Sequence, residues 1–168
     1  MHEHEGHAEE ATAKDYLIFA GIIAFIFAAS WVLAPHLGGL NSANYMRLFM
    51  AVFFAVFACF KLLDLPGFVM SYIGYDIIAK KFTGYGYIYP FIELALSLGY
   101  FLNFSYTNIA TVILMTVGTM GVGRQLLRGS KIKCACLGTY VKLPLTTVSL
   151  VEDLAMGTMA LVLLLYKF

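Results

Sequence analysis

Two cysteines separated by a single residue, Cys134 and Cys136, stand beside the cations Arg128, Lys131 and Lys133. Thiol chemistry runs through the thiolate, and neighbouring positive charge favours that form. Two chemistries fit the spacing. The pair can cycle between dithiol and disulfide, although a bridge across one residue closes a tight, strained and readily reduced ring. Alternatively, both sulfurs can hold one soft cation such as Cu(I) or Hg(II). The bland alternative is a pair of loop thiols without a role. Cys59 lies alone in an apolar stretch and reads as a small hydrophobe, unless it approaches the pair as a third ligand or resolving thiol.

Acidic groups inside apolar stretches are the second chemical signal. Glu93, Glu152 and Asp153 sit at depths where an ionised group costs several kcal/mol unless it faces the interior or a partner. Lys61 and Asp64 offer counter-charge, and Asp76 has Lys80 four residues on. These residues read either as a polar network locking helices together (Lys61, Asp64, Asp76, Asp153) or as a proton relay beside the thiols (Glu93, Glu152), because disulfide formation releases protons. His2, His4 and His7 in the N-terminal tail form at most a weak, adaptable metal site. No HExxH pattern supports a zinc hydrolase.

The elements that must carry these groups are set by composition. Of 168 residues, 61% are hydrophobic and 12% charged, and the mean hydropathy is +0.81. Lipid is the solvent such a chain requires. A net charge of +1 gives no field for nucleic acid. A polar tail, 1–14, lacks the layout of a cleaved signal peptide. It precedes one transmembrane domain, 15–168, with spans expected at about 16–36, 45–64, 86–103, 107–128 and 145–166. The expected fold is therefore all-α: a polytopic bundle of five spans. Phe68, Tyr72, Tyr75 and Ile78 recur at helical spacing and predict a short interfacial helix between spans two and three. That helix is either an aromatic belt or a lid over the thiols. Gly118, Thr119, Gly121 and Gly123 predict close helix contact in the fourth span.

With five spans, Lys14, Lys61, Lys80, Lys81, Arg124, Arg128, Lys131, Lys133 and Lys142 fall on one side, against Arg47 and Lys167 on the other. The positive-inside rule then puts the N-terminus and the Cys134/Cys136 loop in the cytoplasm. A burial of Lys61 within the bundle would reduce its weight. Cytosolic thiols are normally kept reduced.

Several of these residues carry a family resemblance. They are Arg47 opening the second span, Lys61-Leu62-Leu63-Asp64 closing it, Tyr89-Pro90 leading to Glu93, and the block Arg128 to Gly138 containing Cys-Ala-Cys-Leu-Gly. From Met46 onward the chain resembles the DoxX-like superfamily of small membrane proteins, and within it the redox-associated MauE branch. Ala135 and Leu137 depart from the usual Cys-Gly-Cys-Phe-Gly, and Glu152-Asp153 replaces Arg-Asn. The resemblance implies a four-helix core from the second to fifth spans, with the first span added outside. It also implies a place in the bacterial inner membrane and thiol-redox work with a thioredoxin-like partner. The association of MauE with methylamine dehydrogenase maturation is not carried over. A quinone acceptor is compatible with the redox reading, though no residue specifies one. The soft-metal reading would instead pair the chain with a metallochaperone, and a purely structural subunit is the third reading.

Overall fold

The computed structural model describes residues 13–74, 76–127 and 145–166. Its regular structure there is entirely helical: α1 (Ala13–Leu33), α2 (Ser42–Leu63), α3 (Leu65–Ile73), α4 (Thr83–Phe101), α5 (Tyr106–Leu127) and α6 (Leu145–Tyr166). Stretches within α1, α2, α5 and α6 are long and apolar enough to cross a membrane. Helix α4 is not among these four, because Tyr, Gly, Pro90, Glu93 and Ser97 dilute its hydropathy. The two most polar of them, Glu93 and Ser97, face inward and are buried. The Ser97 hydroxyl donates to the Ala51 carbonyl of α2 at 2.7 Å.

Helix ends are fixed by specific polar contacts. Asn41 caps α2, its side chain accepting the Asn44 N–H at 2.8 Å. Asn44 in turn donates to the Gly39 carbonyl at 2.8 Å. Gly38 has φ +123°, and a Cβ there would lie 2.9 Å from Asn44 Oδ1, so both conformation and space call for glycine. Arg47 reaches from the first turns of α2 to the carbonyls of Tyr100 and Phe101, which end α4. This places a cation on the negative end of the α4 dipole. Asn103, at φ 57°, takes the left-handed position just beyond α4.

The core is built on α2, whose Phe53 and Phe57 rings stack with centroids 4.2 Å apart. Phe54 stacks on Tyr100 of α4 at 6.1 Å. Helix α4 packs along α2, and α5 along α6; α1 and α6 each pack on α2, while their backbones do not approach one another.

The segment between α2 and α4 differs from its sequence reading. Asp64 accepts the Gly67 N–H at 3.1 Å and caps α3, and Pro66 sits in the first turn, where its missing N–H costs nothing. The helix stops at Ile73 instead of continuing through Ile78. Asp76 is the reason: its Oδ1 accepts the N–H groups of Ile78 (2.9 Å) and Ala79 (2.7 Å) and folds the chain into turns. It makes no ion pair with the exposed Lys80. Phe68 and Tyr72 are buried against the bundle, so they do not form an aromatic belt facing lipid. Tyr75 lies outside the described residues.

Candidate functional site

Lys61 occupies the last turn of α2 yet is only 5% exposed. Its ammonium bonds Glu93 Oε1 of α4 in a buried ion pair. Two aromatic rings lie beside it: the Nζ is 4.9 Å from the Tyr89 centroid and 5.5 Å from that of Phe68, both within cation–π range. Phe68 and Tyr72 of α3 stack at 5.0 Å, and Tyr72 meets Tyr89 at 4.8 Å. Helix α3 thus closes the bundle over the lysine.

Beside the pair lies a cavity of about 40 Å³, bordered by Lys61, Tyr72, Tyr89, Glu93, Gly118, Ser149, Glu152 and Asp153. One water needs roughly 10–15 Å³ by this measure, so a few water molecules fit. The second oxygen of Glu93, Oε2, is buried with no hydrogen-bond partner among the described residues. Asp153 approaches α5 where Gly118 leaves room: a Cβ at that glycine would lie 2.7 Å from Asp153 Oδ2. Three carboxylates therefore share this cavity with one ammonium. An excess of acids over cations around a water-sized space is an arrangement that can hold and pass protons within a membrane.

Glu93, Glu152, Asp153 and Lys61, which the sequence singled out separately, are brought together here. Asp64 and Asp76 serve the ends of α3 and its following turn instead. Cys134, Cys136, His2, His4 and His7 lie outside the described residues. Cys59 is exposed on α2. Among the described residues, no group of three His, Cys, Asp or Glu side chains is placed to hold a metal ion. The aromatic cover from Tyr89 and Phe68, and the part played by Ser149, escaped the sequence reading. Phe68 was signalled only by its spacing with Tyr72, which had suggested an interfacial position, and Tyr89 only as part of the family resemblance.

The polar centre also adjoins a much larger space. A groove of about 730 Å³ runs between α1 and α6 over the Tyr45, Met46, Phe49 and Phe53 face of α2. Phe53, Met156 and Glu152 border both the groove and the inner cavity.

A helical bundle with membrane-crossing helices and a buried lysine–carboxylate centre defines a small integral membrane protein. The family model described as "Methylamine utilisation protein MauE" matches residues 13–166, and the chain belongs to that family. The match begins at α1, so the first helix lies within the family pattern, where the sequence resemblance had started only at Met46. Neither a curated protein nor a solved structure matches the chain.

Proposed function

We propose that this protein is a thiol–disulfide redox component of the bacterial inner membrane, in which Cys134 and Cys136 cycle between dithiol and disulfide. It exchanges electrons with a partner of thioredoxin-like type. Five helices cross the bilayer in this reading, α4 included, and the Cys134/Cys136 segment faces the cytoplasm. Glu93, Glu152 and Asp153 take up and return the protons that thiol oxidation releases.

The observation that carries the reading is the position of the carboxylate cavity. Ser149, Glu152 and Asp153 lie within the first three turns of α6, and Lys61 in the last turn of α2. The end of α5 at Leu127 and the start of α6 at Leu145 lie at this same end of the bundle, and in the sequence Cys134 and Cys136 fall between them. Oxidising two thiols releases two protons, and a buried set of carboxylates around water-sized space gives them somewhere to go. Membership of the MauE family supports the same reading.

Thiol labelling in sealed, oriented membrane vesicles tests it. Cys134 and Cys136 should label fully only after prior reduction, and each Cys→Ser substitution should stop cycling while leaving membrane insertion intact. Full cycling in both single variants would refute the proposal. Free thiols that Cu(I) protects from labelling would turn the assignment to soft-metal binding.

A further inference from the structure

The groove between α1 and α6 has a structural cause and a chemical character. Both helices rest on α2 without their backbones meeting, which leaves a slot whose floor is an aromatic ladder. Phe27 and Phe49 have centroids 4.7 Å apart, Phe49 and Phe53 6.1 Å, and Trp31 meets Tyr45 edge-on at 6.0 Å. The volume of about 730 Å³ lies in the range of sites that take small organic molecules. The walls are almost wholly apolar, and Glu152 is the one carboxylate along them. That carboxylate also borders the cavity holding Glu93 and Asp153. A ligand suited to this slot has a flat ring for the aromatic faces, an apolar tail for the bilayer side, and a head that exchanges protons.

We propose that the α1–α6 groove binds a membrane-soluble quinone, with its ring against the Phe49–Phe53 floor and an oxygen towards Glu152. The choice of a quinone over other flat amphiphiles rests on the thiol-redox reading above. Oxidation of two thiols breaks two S–H bonds, forms one S–S bond and releases two electrons and two protons. A quinone takes up both pairs at its two oxygens and leaves as the hydroquinone. A phospholipid acyl chain would use the apolar walls but has no use for a proton-handling carboxylate at their inner edge.

Trp31 lines the groove and is the only tryptophan in the chain, which gives a direct signal. The test titrates the purified full-length protein in lipid nanodiscs with a decyl-substituted 1,4-benzoquinone and follows Trp31 fluorescence. Saturable quenching is expected. Filling the slot by Ala155→Phe, or more gently by Ala155→Leu, should weaken it by about tenfold or more, and Glu152→Gln should weaken it less. Thermal unfolding of each variant shows whether the fold is kept.

Quenching that rises linearly and equally in wild type and both Ala155 variants reports partition into lipid and overturns the proposal. So does groove-dependent quenching by brominated acyl chains that the quinone fails to displace. The Cys134→Ser/Cys136→Ser protein should bind quinone with unchanged affinity, which separates the two proposals. Binding without thiol cycling leaves the groove assignment standing and removes the redox reading, whereas cycling without saturable binding does the reverse.

Discussion

Lys61 illustrates how one residue joins folding to chemistry. A lysine in the last turn of a membrane helix can usually extend its ammonium to the interface, but here the side chain turns inward to Glu93 under the rings of Phe68 and Tyr89. Removing one member of a buried pair leaves an uncompensated charge, which costs about 3–5 kcal/mol, whereas replacing both with apolar groups is often neutral or stabilising. Lys61→Met should therefore destabilise the protein strongly, and Lys61→Met/Glu93→Leu should recover most of the loss in reversible unfolding from mixed micelles. A double variant as unstable as the single one would show that the pair is not what holds α2 to α4. Asp76 works on a smaller scale. Asp76→Ala removes the acceptor for two backbone N–H groups and should cost on the order of 1–3 kcal/mol. Asp76→Asn, which keeps a side-chain oxygen, should cost less.

At the level of helices, the α5–α6 contact depends on Gly118. An added methyl would meet the Asp153 carboxylate, and overpacking of this kind costs about 1–3 kcal/mol. Alanine in place of glycine regains roughly 1 kcal/mol of helix propensity, so Gly118→Ala should lose on the order of 1 kcal/mol net. Adding Asp153→Ala removes the overlap and should make the Gly118→Ala change stabilising. If the sign does not reverse in that background, the carboxylate is not what limits the approach. Gly118 was legible in the sequence as part of a small-residue run, but Gly123 of the same run has no neighbour within 4 Å of an added Cβ. A run of small residues marks a helix that can be approached closely; the face that is approached depends on the partner. The all-helical character was legible because apolar runs of this length leave few alternatives in lipid. The end of α3 was not. Helical spacing through Ile78 looked continuous, and the competing side-chain bonds of Asp76 ended it. The site was half legible: the depth of each carboxylate in its segment pointed to an inward-facing position, while the pairing of Lys61 with Glu93, 32 residues away, needed α2 and α4 to be packed together.

For the whole molecule, the open question of chemistry becomes one of sides. Lys61 is buried and Arg47 caps α4, so neither acts as a free interfacial charge. Lys14, Lys80, Lys81 and Arg124 are exposed at the end of the bundle where α2 and α5 finish. On the positive-inside rule these remaining cations support the proposed cytoplasmic placement of this end. It holds only if α4 crosses the bilayer, and α4 is the helix whose hydropathy falls short. Packing explains the shortfall, because a helix that buries Glu93, Ser97 and Tyr100 against its neighbours has less need to be apolar all round. Lys81 and Phe104 are exposed residues flanking α4. In a protein with Cys59, Cys134 and Cys136 replaced by Ser, single cysteines introduced by Lys81→Cys and Phe104→Cys should react with a membrane-impermeant maleimide from opposite sides of sealed vesicles. The Lys81→Cys protein should react from the cytoplasmic face. Labelling of both from one face would make α4 a helix that enters without crossing. The ends of α5 and α6 would then exchange sides, and the Cys134/Cys136 segment would face the oxidising compartment, where a stable disulfide is the expected state.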